Sequence, residues 1–175
     1  MKIVIIGYSG SGKSTLASKL AKLYNLPVLF MDKISFNPNW KEKTREEKVM
    51  ALSKFLEENK DGWIIDGNFF SILMEERLAQ ADLIIHLDIN RFTCYFSSLK
   101  RAISYRNKYR ESAPIHCNEK FDLSFQWWIL FQGRSKRRKD RIKAIAKFYE
   151  NKFLNLKSRK EVSSYLEMVK KHKSK

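Results

Sequence analysis

The chain has 175 residues, 43% of them apolar, which suits one domain with a hydrophobic core and excludes a disordered segment. Its formal net charge is +16 and unevenly spread: residues 1–90 carry 12 basic and 12 acidic side chains, residues 91–175 carry 23 and 7. No 18-residue apolar run or leader is present, which predicts a cytoplasmic protein without a membrane span, and the isolated Cys94 and Cys117 exclude a zinc clip or disulfide framework.

Residues 2–6 form a short apolar, β-branched run that reads as a buried strand. Gly7-Tyr8-Ser9-Gly10-Ser11-Gly12-Lys13-Ser14 follows and fits G-x-x-x-x-G-K-[ST] without a mismatch. From Thr15 a helix runs to Tyr24 with Leu16, Leu20 and Leu23 on one face. A glycine loop between a strand and a helix is the setting a phosphate-binding loop needs. Glycines let backbone N–H groups approach an anion, and the helix adds its own unsatisfied N–H groups and positive dipole end. ATP is therefore expected on Gly7, Ser9, Gly10, Ser11, Gly12, Lys13, Ser14 and Thr15, with Lys13 on the terminal phosphates and the Ser14 hydroxyl on Mg²⁺.

Residues 27–31 predict a second strand ending at Asp32, an acid aimed into the ligand crevice. Residues 35–40 read as a loop, whose Phe36 and Trp40 either contact ligand or cover the core. Thr44 and Glu47 form a capping box for a helix to about Asn59, with Val49, Leu52, Phe55 and Leu56 inward. A third strand covers 62–66 and ends in Asp66-Gly67, a short helix covers 70–81, and a fourth strand covers 82–88, with His86 as part of its packing.

A helix from Asn90 to about Tyr109 has Phe92, Tyr95, Phe96, Leu99 and Ile103 as its apolar side. Asp122 caps an aromatic helix that Gly133 ends. Residues 134–149 predict a very basic helix, with eight Lys or Arg in 134–147 and Ile142, Ile145 and Phe148 or Tyr149 inward. The spacing of Arg134, Arg138 and Arg141 puts them on one side of it. A last strand at 153–156 and a helix at 161–173 close the chain. Strands alternating with helices predict an α/β fold with a parallel sheet covered on both faces.

At these residues the chain resembles the small P-loop kinases of the adenylate kinase and shikimate kinase kind. The P-loop, Asp32 and Trp63-Ile64-Ile65-Asp66-Gly67 carry the likeness. Nearly the whole chain also resembles the bacterial proteins labelled DNA-topology-modulation proteins, through Trp63-Ile64-Ile65-Asp66-Gly67-Asn68, Leu87-Asp88-Ile89-Asn90-Arg91-Phe92 and Gly133-Arg134-Ser135-Lys136-Arg137-Arg138. The resemblance implies a P-loop NTPase fold: one domain over 1–175, a five-stranded parallel sheet of order 2-3-1-4-5, and a lid-like insertion at about 110–141. Two departures leave the acceptor open. Asn68-Phe69-Phe70 stands where adenylate kinases continue with Phe-Pro-Arg, and Ile34 where shikimate kinases place a second acid.

Two function classes follow. In the first, an ATP-dependent phosphotransferase, Lys13 neutralises phosphate charge and Ser14 and Asp66 serve the metal. Asp32 orients metal or acceptor hydroxyl, and Arg134, Arg138 and Arg141 close as a lid on an unidentified small-molecule or nucleotide acceptor. In the second, a nucleotide-dependent nucleic-acid binder, the basic 91–175 half grips phosphate backbone.

Overall fold

In β1 (Lys2–Gly7), Ile3 and Ile5 point to one face and Val4 and Ile6 to the other, and all four are fully buried. A strand apolar on both faces needs a sheet covered on both sides. The computed structural model describes residues 1–106, 110–114, 117 and 121–173, and they provide that cover. After β1 come α1 (Lys13–Tyr24), β2 (Val28–Phe30), the one-turn α2 (Met31–Ser35), and a hairpin of β3 (Phe36–Asn37) and β4 (Lys41–Glu42). Then follow α3 (Arg45–Glu58), β5 (Trp63–Asp66), α4 (Met74–Gln80), β6 (Leu83–Leu87) and α5 (Arg91–Ser104). The chain ends with α6 (Leu123–Leu130), α7 (Lys136–Phe148), β7 (Phe153–Leu156) and α8 (Arg159–Lys173).

Five strands pair in parallel in the order β2-β5-β1-β6-β7. Counted within the sheet this is 2-3-1-4-5, as expected. One core layer joins Ile3, Ile5, Ile64 and Ile85 to Leu16 and Leu20 of α1 and Leu166 and Val169 of α8. The other joins Val4, Ile6, Ile65 and Ile84 to Leu52 of α3 and Leu78 of α4. Thr44 and Glu47 make the expected capping box at α3, and Asp122 caps α6 through the Ser124 and Phe125 amides. Among the described residues no helix is long and apolar enough to cross a membrane.

Four expectations are corrected. The second strand stops at Phe30, and Asp32 lies in the first turn of α2, where an acid favours the helix dipole. Residues 36–42 form a hairpin rather than a plain loop, and buried Lys48 of α3 pairs with Glu42 to dock it. The helix after the third strand begins only at Met74. The helix expected from Asn90 ends at Ser104, its expected end near Tyr109 lying outside the described residues. It buries Cys94, Ser98 and Ala102 and turns Phe92, Phe96 and Ile103 outward. The reason is close approach: a Cβ on Gly10 would collide with the Cys94 carbonyl oxygen, so only small side chains fit between α5 and the P-loop.

Residues 67–73 fold around a buried cation. Arg77 of α4 has no solvent exposure, and its guanidinium donates to the carbonyl oxygens of Gly67 (3.2 Å), Asn68 (3.4 Å) and Phe69 (3.0 Å). Burial lowers its pKa from 12.5 to about 10, which leaves it charged at neutral pH. These bonds bend the chain after β5 and delay the helix. Arg77→Ala would leave several carbonyls without a donor, so it is expected to lower unfolding free energy by about 2–4 kcal/mol in urea titrations.

Candidate active site

The P-loop leaves β1 between β5 and β6, with Ile5 in register with Asp66 and Gly7 with Leu87. A parallel sheet thus sets Asp66 beside the loop. Gly10 (φ 77°) and Gly12 (φ 91°) lie in the left-handed region. The Ser11 amide donates to the Tyr8 carbonyl at 3.1 Å, and Lys13 Nζ reaches the same oxygen at 3.1 Å. Asn68 grips the loop's start, accepting from the Gly7 amide and donating to the Gly7 carbonyl, both at 2.9 Å. Arg159 grips its far side, donating to the carbonyls of Ser11 (2.7 Å) and Gly10 (3.1 Å) and to Ser97 Oγ of α5 (3.1 Å).

Beside the loop, Ser14 Oγ donates to Asp66 Oδ2 at 2.6 Å. Asp66 Oδ1 is buried and has no hydrogen-bond partner among the described atoms. Burial pushes the Asp66 carboxyl above its usual range, against the lowering effects of Lys13 and the Ser14 hydroxyl; nearby Asp32 adds to the rise. A hydroxyl and a carboxylate side by side are hard oxygen donors of the kind that suit Mg²⁺.

A cleft of about 1440 Å³ opens in front of these groups. Ser9, Gly10, Gly12, Lys13, Ser14 and Thr15 are part of its lining, as are Asp32 and Asp66. Arg137, Arg138 and Arg141 of α7 line it too. Arg138 lies over the Trp128 ring (5.1 Å) and Arg141 over the Phe70 ring (4.8 Å), so aromatic faces hold both guanidinium groups in the cleft. Phe36, Trp40, Lys100, Arg101, Arg110 and Glu111 are also among the residues that line it. The cleft can take a polyanion at the glycine loop and enclose its outer end in positive charge.

Not every expected residue faces this space. Gly7 and Ser11 are not in the cleft lining: Gly7 pairs with Asn68, and Ser11 is fully buried. Arg134 does not share a face with Arg138 and Arg141. It lies in a 3₁₀ turn (Gln132–Arg134) before α7, and its guanidinium stacks on the Tyr8 ring at 3.7 Å and donates to the Ile89 carbonyl at 2.7 Å. Of the alternatives for the inner side of α7, Tyr149 packs on the core and Phe148 is exposed. His86 belongs to strand packing, as expected: its Nδ1 lies 2.9 Å from Asn155 Oδ1, and burial lowers its pKa. Burial also raises the pKa of Tyr8, with Asp88 adding to it, and that of the Cys94 thiol.

Sequence reasoning missed the roles of Asn68 and Arg159.

No protein-family profile matches the chain, and no curated protein does. Solved structures do. A deoxyadenosine kinase from M. mycoides with bound dATP superposes with a TM-score of 0.60 over 100% of both chains at 17% identity. A protein described as a kinase from Chloroflexus aurantiacus gives 0.57 over 98% of this chain and 97% of that one at 15% identity. A gluconokinase from Sinorhizobium meliloti gives 0.53 over 99% and 91% at 12% identity. At these identities the likeness is one of fold, and the fold is that of the P-loop kinases.

Proposed function

We propose that this protein is an ATP- and Mg²⁺-dependent phosphotransferase that moves the γ-phosphoryl group to a small-molecule or nucleotide acceptor. The observation that carries this reading is one cleft that gathers Lys13, the Ser14–Asp66 pair and the arginines of α7. The P-loop amides and Lys13 bind and orient the β- and γ-phosphates. Arg138 and Arg141 offset charge as it spreads over the transferring group, and Asp32 orients the acceptor hydroxyl. Ser14 and Asp66 fit Mg²⁺ because the second Asp66 oxygen is buried without a hydrogen-bond partner among the described residues. When bound, the ion supplies further neutralisation of phosphate oxygens. Ser14 and Asp66 would hold the ion together with oxygens of the nucleotide, since Mg²⁺ sites in such proteins use one or two protein ligands and substrate phosphates. Phosphoryl transfer needs positioning and positive charge more than a protein nucleophile, and the cleft offers both.

Residues 134–141 form the lid in this proposal, with Arg134 as its base on Tyr8 and Arg138 and Arg141 as its working face. A second reading, nucleic-acid binding, draws on Lys136, Lys139, Lys143 and Lys147, which are exposed on α7 and are not in the cleft lining. A DNA affinity that falls steeply with salt, and no phosphoryl transfer, would favour it.

The direct test is ADP formation from ATP·Mg²⁺ across a panel of hydroxyl and phosphate acceptors. One acceptor is expected to raise turnover well above ATP hydrolysis in water, and stimulation by none would overturn the proposal.

ATP·Mg²⁺ is expected to raise the wild-type melting temperature and to leave Lys13→Ala unmoved, while the unliganded proteins melt together; differential scanning fluorimetry reads both. Arg159→Ala is expected to weaken ATP and inorganic tripolyphosphate alike by about tenfold in calorimetry, the scale of one to two charge-assisted hydrogen bonds. A loss confined to ATP would instead place Arg159 on the base or ribose.

Arg138→Ala and Arg141→Ala are expected to lower kcat by about 10²–10³-fold with little change in the KM for ATP, because their contacts strengthen in the transition state. Hydrogen exchange in 134–141 is expected to slow with ATP·Mg²⁺, as in 7–15. Slowing in 7–15 alone would remove the lid from the mechanism.

A further inference from the structure

Two rings in the cleft stand apart from the core. Phe36 and Trp40 line the same cleft as Asp32, and among the described residues neither joins either core layer. The other phenylalanines and the other tryptophan of the lining do: Phe69 and Phe70 pack on one layer, Phe125 and Trp128 on the other. Trp40 is 36% exposed, and its backbone is left-handed (φ 60°), a region that a bulky side chain rarely adopts. Asn39 before it is left-handed too (φ 61°), but asparagine tolerates that conformation. Contacts on both sides hold the turn in this shape. The Cys117 thiol accepts from the Trp40 amide and donates to the Asn37 carbonyl, both at 3.3 Å. Lys48 anchors Glu42 of β4. Backbone strain that the surroundings enforce at a cleft residue points to a ligand.

We propose that Phe36 and Trp40 form a ring subsite for the phosphoryl acceptor, and that the acceptor is a hydroxyl compound carrying a flat aromatic or heteroaromatic ring. The proposal rests on the phosphotransferase reading and narrows its acceptor. Geometry supports a flat ring. The two side chains meet at 69° with centroids 5.5 Å apart. Such a corner suits a third ring, which stacks on one of them and meets the other edge to face. An open-chain polyol has no flat face to lay on either. Placement supports the acceptor rather than the nucleotide donor. Phe36 directly follows α2, and α2 carries Asp32 in its first turn. The ring subsite and the acid that orients the acceptor hydroxyl thus belong to one short segment. The phosphates of ATP are held elsewhere, by the glycine loop and the start of α1.

The test uses the full chain and has two arms. The first is calorimetry with ADP·Mg²⁺ present, which needs no turnover. The ring probes are adenosine, thymidine, their monophosphates and pyridoxine, and the ringless probes are glycerol and gluconate. At least one ring probe is expected to bind, and Trp40→Asn and Phe36→Leu are each expected to weaken it about tenfold or more. Asparagine accepts the left-handed backbone, so the melting temperature of Trp40→Asn is expected within about 2 °C of the wild type, or above it. The second arm follows ADP formation from ATP·Mg²⁺ with the same probes. Both variants are expected to raise the KM of the ring-bearing acceptor about tenfold and to leave the KM for ATP unchanged. Five results would each overturn the proposal: no ring probe bound by the wild type, equal binding by both variants, preference for glycerol or gluconate, a clearly lower melting temperature for Trp40→Asn, or a matching loss of ATP affinity. Ring-probe binding that both substitutions weaken, without turnover, would keep the ring subsite and overturn only the phosphotransferase reading.

Discussion

A loop that points its amides at an anion must point its carbonyls elsewhere, and those carbonyls need donors. Here the donors come from distant parts of the chain. Arg159, at the start of the last helix, takes the carbonyls of Gly10 and Ser11, and Asn68 takes that of Gly7. The arrangement has a second tier, because Arg77 holds the backbone of Asn68 and its neighbours. Three side chains, none of them in the glycine motif, thus hold the loop's shape. The same demand explains the small face of α5, which must come close enough to place Ser97 on Arg159 and Cys94 against Gly10.

Positive charge is sorted rather than spread. On α7 the arginines line the cleft and the lysines do not. Arginine suits a cleft that must hold its charge in place, because its flat guanidinium stacks on Trp128 and Phe70 before any ligand arrives. Arg134, by contrast, is spent inside the protein, where Tyr8 and the Ile89 carbonyl fix the turn from which α7 starts.

The structural neighbours share the fold at 12–17% identity, with the gluconokinase among them. In this chain the shared part is built on a strand buried on both faces, a glycine loop and a helix start at the centre of a parallel sheet. The end of the cleft away from the glycine loop answers to other constraints. In this chain it is walled by the docked hairpin with Phe36 and Trp40, whose rings meet edge to face at 5.5 Å, and by cations of α5.

The order of the sheet followed from the likeness to the P-loop kinases, while the sequence by itself determined the strands, the P-loop and several helix boundaries. These rest on local rules: apolar period, capping residues, and glycines at a strand–helix junction. It also brought Lys13, Ser14, Asp32 and Asp66 to one site, because strand ends in a parallel sheet converge. Only the tertiary structure decided the rest. Periodicity marks a helix face as apolar but does not say what covers it, so Phe92 and Phe96 read as core and stand in solvent. Spacing placed Arg134 with Arg138 and Arg141, yet a helix starting two residues later turned it onto Tyr8. Arg159 and Arg77 were invisible because their partners are carbonyl oxygens, which every residue carries, so no pattern of side chains announces where a cation will find them.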